Sequence, residues 1–102
     1  MHYQQSIVTS TSIHLQRVFE VENLPTTDLE ALYFKISRVV LHLLHTDMNR
    51  LLHLLYRIDV DEQQVKQAMV ADDAETIAER LARLIIKREL QKTQLRMKYS
   101  QN

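Results

Sequence analysis

Between residues 29 and 44 the large apolar side chains fall at Leu29, Leu32, Tyr33, Ile36, Val39, Val40, Leu43 and Leu44. Steps of three or one residue put all of them on one face of a helix. Thr27 offers an N-cap oxygen to that helix, with Glu30 at the reciprocal position of a capping box. The same phase continues through Met48, Leu51, Leu52, Leu55 and Ile58. An unbroken helix over 28–58 would be about 46 Å long. A domain of this size has a radius of gyration of only ~13 Å. The pattern therefore predicts a break near Thr46-Asp47 that re-caps a second helix, in preference to one long helix packed on another chain.

Asp59-Val60-Asp61-Glu62 reads as a turn and a fresh cap, followed by a short helix over 61–70 that buries Val65 and Met69. Asp72, with Glu75 three residues on, opens the last helix, 73–98. Its inner face is Ile77, Ala78, Leu81, Leu84 and Ile85, widened by Ala82 and Ile86. Beyond Arg88 the apolar residues thin to Leu90, Leu95 and Met97, which predicts a frayed or projecting end. At the other terminus, Ile7-Val8-Thr9-Ser10-Thr11-Ser12-Ile13 is β-branched and hydroxyl-rich, which suits a strand or an extended arm. Ile13 to Val21 could equally be a short helix, and Pro25 pushes Leu24 out of helical geometry. Residues 1–24 are read as a partly ordered arm and 25–102 as the helical domain. The expected fold is all-α: a small bundle of three to four helices, with 28–45, 47–58 and 73–90 enclosing one core and a short N-terminal arm.

Composition sharpens this picture. The chain has 102 residues, enough for one domain, with Gly 0, Pro 1 and Cys 0. Average usage would supply about seven glycines. Tight hairpins that need positive φ are thus disfavoured, and sheets with them. Zero cysteine excludes disulfides, CxxC zinc sites and a thiol nucleophile. No apolar stretch is long enough to span a membrane, and MHYQQSIVTSTSIHL lacks a basic n-region with an apolar core. The cytoplasm is the expected location.

The chain is neutral overall, but residues 1–79 hold twelve acids and six bases, whereas residues 80–102 hold seven bases and one acid. Arg80, Arg83, Lys87 and Arg88 recur at helical spacing and form the candidate electrostatic binding face, suited to phosphates or an acidic protein surface. Acidic starts and basic ends of helices also arise simply from the helix dipole. His42, His45 and His53 would share a face of an unbroken helix. Lys35, Arg38 and Asn49 occupy the same stripe without a carboxylate, so no metal site is expected. A calcium loop beginning at Asp59 would need glycine where Gln64 stands and glutamate where Val70 stands. No phosphate loop, GxSxG elbow or HExxH motif occurs. No catalytic residue and no cofactor is expected.

The stretch LLHLLYRIDVDEQQVKQAM, followed by IAERLARLIIKRELQKTQLR, resembles short all-helical bacterial proteins. The likeness covers roughly residues 46–96, with Leu55-Tyr56-Arg57-Ile58-Asp59-Val60 its most distinctive part. It implies a bacterial, cytosolic helical protein and carries no site residue over. The functional expectation is a non-catalytic interaction or regulatory protein that meets a protein partner or a second copy of itself. The alternative is a nucleic-acid-associated protein using the basic terminal helix.

Overall fold

The computed structural model describes residues 3–100. Five helices follow in order: α1 (Gln5–Phe19), α2 (Leu29–Thr46), α3 (Met48–Ile58), α4 (Glu62–Ala68) and α5 (Ala74–Ser100). No strand occurs among the described residues. The fold is all-α, with five helices where three to four were expected.

The additional helix is α1, which replaces the expected arm. Ile7, Val8, Thr11, Ser12, Leu15, Val18 and Phe19 are its buried residues, and their spacing is that of one helical face. Thr11 and Ser12 interrupt the apolar pattern in sequence but are small enough to bury, and the Thr11 hydroxyl donates to Thr93 Oγ1 at 3.0 Å. The helix closes with Glu20 at φ 55°. The Glu20 amide donates to Arg17 O and the Val21 amide to Gln16 O, as in a Schellman motif. The loop that follows is tied back to α1. Gln5 Nε2 and Thr9 Oγ1 both donate to Thr26 O, and Gln16 Oε1 accepts from the Leu24 amide.

The long apolar stripe breaks where expected. The Asp47 amide donates to Leu43 O at 2.8 Å, and its carboxylate accepts from the Arg50 amide at 3.1 Å. One residue thus closes α2 and opens α3. The break turns Leu51, Leu54, Leu55 and Ile58 into the core, and the radius of gyration is 13.4 Å. Caps elsewhere lie one residue later than the sequence reading placed them. Asp28, not Thr27, accepts from the Ala31 amide, and Asp73, not Asp72, accepts from the Thr76 amide and hydroxyl. In both cases the carboxylate nearest the first turn takes the free amide. The short helix α4 is capped by Asp61, which accepts from the Gln64 amide. It buries Ala68, while Val65 and Met69 are half-buried.

Helix α5 touches every other helix. Tyr33 of α2 meets Arg83, in its first half; His14 and Thr11 of α1 meet Glu89 and Thr93, in its second. Helix α1 runs antiparallel to α5, because its residue numbers fall as those of their α5 partners rise. The end expected to fray is helical to Ser100, and Glu89, Leu90 and Thr93 are buried. The sequence reading lacked the element that covers them.

Two outcomes are expected. Leu43 is 7% exposed, and Leu43→Ala should cost about 2–5 kcal/mol in urea unfolding; wild-type stability would remove Leu43 from the core. The Thr76 amide, and then its hydroxyl, hold the Asp73 carboxyl below the ordinary carboxylate value, with Arg80 a smaller influence. A folded value below the unfolded one stabilises above the unfolded value and is lost as pH falls through the folded one. Asp73→Ala should therefore lower Tm at neutral pH, with the difference closing in acid below about pH 4. A difference that persists undiminished there would show that the cap does not act through its charge.

Candidate interaction face

The sequence-predicted face lies along a groove between α4 and α5. Its first cleft, about 370 Å³, is lined by Asp59, Val60, Asp61, Gln64, Leu84, Lys87, Arg88 and Gln91. A second, about 390 Å³, is lined by Gln64, Gln67, Ala68, Arg80, Arg83 and Leu84. They share Gln64 and Leu84 and so form one surface. Gln64 and Gln67 stand one turn apart on α4, which gives the groove an amide wall opposite the cations of α5. Ala68 and Leu84 provide apolar floor. All four predicted residues, Arg80, Arg83, Lys87 and Arg88, line this groove.

Three of the four also have structural partners. Arg80 Nη1 donates to Val70 O at 3.0 Å, in the turn after α4. Arg88 donates through Nε to Asp59 O at 3.0 Å and through Nη2 to Asp59 Oδ2 at 3.1 Å. Asp59 itself holds φ 66° at the end of α3, so Arg88 stabilises a residue in the left-handed region where glycine is usual. The Arg83 guanidinium lies 5.1 Å from the centre of the Tyr33 ring, a cation–π distance. Burial raises the Tyr33 hydroxyl above its ordinary value, and the opposing pull of Arg83 is smaller. Lys87 is exposed and makes no hydrogen bond or ion pair among the described residues.

A second cluster, which the sequence reading did not single out, lies between α1 and α5. Glu89 is fully buried. His14 Nε2 lies 3.4 Å from one carboxylate oxygen and Lys92 Nζ 3.1 Å from the other, with the His14 and Lys92 side chains 37% and 25% exposed. Both are within ion-pair distance, yet among the described residues neither oxygen receives an aligned hydrogen bond and the buried Ser12 hydroxyl has no partner. Lys92 donates instead to Ile58 O at 2.9 Å. The signal for this cluster was a single acid in a run of bases, Lys87-Arg88-Glu89, at a position in phase with Leu81, Ile85 and Ile86.

The histidines of the candidate stripe do not converge on a site. His42, His45 and His53 are exposed, and the turn at Asp47 separates the first two from the third. Among the described residues no three His, Cys, Asp or Glu side chains gather as a metal ion requires. No described helix is long and apolar enough to cross a membrane. No protein-family model matches the chain, and no curated protein or solved structure is significantly similar to it.

The buried carboxylate generates a paired prediction. A charge out of water costs several kcal/mol, and replacing it by an apolar group of similar size is often neutral or stabilising. Glu89→Met should leave stability unchanged or raise it, because Lys92 and His14 both reach solvent. Lys92→Met leaves the buried carboxylate without its lysine partner and should cost on the order of 3 kcal/mol. Urea unfolding of both variants decides the point. If Glu89→Met is the more damaging, the carboxylate is a net contributor to the fold.

Proposed function

We propose that this chain is a non-catalytic helical interaction module, monomeric in solution, that meets a protein partner through the α4/α5 groove. The observation that carries the reading is the convergence of Arg80, Arg83, Lys87 and Arg88 on one groove with an amide wall and an apolar floor. Three of the four are held there by Val70 O, Asp59 and the Tyr33 ring, so the groove presents its cations at fixed positions. The monomeric state is supported by the turn at Asp47. It directs the leucine-rich stripe into the chain's own core, and of the leucines between residues 29 and 55 only Leu52, at 44%, is exposed. The absence of cysteine and the resemblance over 46–96 favour a bacterial cytoplasmic setting. Nucleic-acid association through the same face is the second reading, favoured by the excess of six positive charges over residues 80–102.

Light scattering should return 12.1 kDa at low and high salt; a salt-insensitive dimer would overturn the monomeric assignment. The face itself is tested by retention on a sulfonate resin. Arg83→Glu with Lys87→Glu should elute at clearly lower salt than Lys35→Glu with Arg57→Glu, which changes net charge equally at exposed positions on α2 and α3. Equal elution of the two variants would mean that the groove is not the dominant electrostatic surface.

A further inference from the structure

We infer that the groove takes a short, extended, charge-ordered segment of another protein: acidic and apolar residues toward Arg80 and Arg83, and neutral or basic residues toward Asp61. This inference rests on the reading of the groove as an interaction face, and it names the partner's chemistry.

The charge order follows from the two clefts. The one containing Arg80 and Arg83 has no carboxylate in its lining. The one containing Lys87 and Arg88 also holds Asp59 and Asp61. Asp59 is paired with Arg88 at 3.1 Å, whereas Asp61 caps α4 and has no cation partner among the described residues. The groove therefore runs from an end whose own lining is cationic, with Glu30 and Glu79 beside Arg83 in the neighbouring cleft, past Lys87 to an end of mixed sign. A nucleic-acid strand is uniformly anionic and would bring phosphates against Asp61. A peptide can match both ends. The groove lining also has no aromatic ring on which a base could stack, while its floor at Ala68 and Leu84 suits aliphatic side chains.

The extended form follows from the amides. Gln64 and Gln67 of the α4 wall each offer a donor and an acceptor, as does Gln91 across the groove on α5. A helical ligand has already satisfied its own backbone, but an extended one presents free N–H and C=O groups to such a wall. Along α5 the groove runs from Arg80 to Gln91, about 16 Å at 1.5 Å per residue. About five extended residues cover that distance. The cationic end is pre-set: Arg80 is held by Val70 O and Arg83 by the Tyr33 ring, so less side-chain freedom is lost when a carboxylate arrives.

The test is a titration of the ¹⁵N-labelled full chain, followed by backbone amide shifts, with three probes. They are the hexapeptide Glu-Leu-Glu-Leu-Gln-Lys, a hexapeptide of glutamate alone, and a twelve-nucleotide thymidine DNA. The mixed peptide should shift amides at 64–68 and 80–88 and bind more tightly than the glutamate peptide despite its lower charge. Lys87→Glu, at an exposed position without partners among the described residues, should weaken the mixed peptide roughly tenfold while leaving the rest of the spectrum in place. Tighter binding by the glutamate peptide, or no effect of Lys87→Glu, overturns the charge-ordered site. DNA that shifts the groove where the peptide does not sinks the peptide assignment and leaves the interaction face standing. Absence of groove shifts with all three probes removes both.

Discussion

Every helix must find partners for its last carbonyl groups, and this chain must do so without glycine. Two helix ends adopt left-handed geometry at Glu20 and Asp59, residues for which that conformation is less favourable than for glycine. Cations from other helices then reach the exposed carbonyls. Arg50 of α3 donates to Phe19 O and pairs with Glu20 at the end of α1. Lys92 and Arg88 of α5 take Ile58 O and Asp59 O at the end of α3, and Arg80 takes Val70 O just past α4. Positive charge at helix C-termini is favoured by the macrodipole as well. At the ends of α1 and α3 and in the turn after α4, capping and tertiary packing are thus the same set of bonds, whereas α2 is closed locally at Asp47.

This arrangement decides what kind of surface α5 presents. A row of cations free in solvent would be a flexible counterion layer, adaptable to any polyanion. Here two of the four groove cations are committed to backbone carbonyls and a third lies against an aromatic ring, so their positions are set before a ligand arrives. Fixed positions favour discrimination over avidity. The groove owes its shape to the same contacts that hold α3 and α4 against α5.

Much of the fold was legible in hydrophobic periodicity. The α2 and α3 stripe, the turn at Asp47 and the first half of α5 follow from apolar spacing and from acids placed to cap. The segment 5–19 was legible only in part: a short helix over 13–21 was one open alternative, and the turns before it read as extended. Its buried face contains Thr11 and Ser12, and its β-branched, hydroxyl-rich run matches extended-chain preferences; only the presence of α5 beneath it decides for helix. For the same reason the last turns of α5 looked uncovered: their cover uses Thr11–Thr93 and His14–Glu89 contacts, to which a hydrophobic pattern is blind. The spacing of Arg80, Arg83, Lys87 and Arg88 was visible, but their roles were not. Those depend on Asp59, Val70 and Tyr33, as many as fifty residues away in sequence. The opposite wall, Gln64 and Gln67, carried no signal of its own, since exposed glutamines are ordinary on any short helix.

The absence of glycine reaches beyond the folded state. Each glycine replaced by a residue with a side chain narrows the unfolded ensemble and favours folding by about 0.4–1 kcal/mol where the native backbone tolerates it. Where it does not, as at Glu20, the strain is roughly 1–2 kcal/mol, and Asn23 and Asp59, whose short polar side chains ease the left-handed region, take it up at less cost. A glycine-free chain therefore begins folding from a stiffer, less disordered starting population. It accepts a few strained joints in the product in exchange for a smaller loss of freedom along its whole length. Its stability is in part a property of the denatured chain, present before any helix has formed.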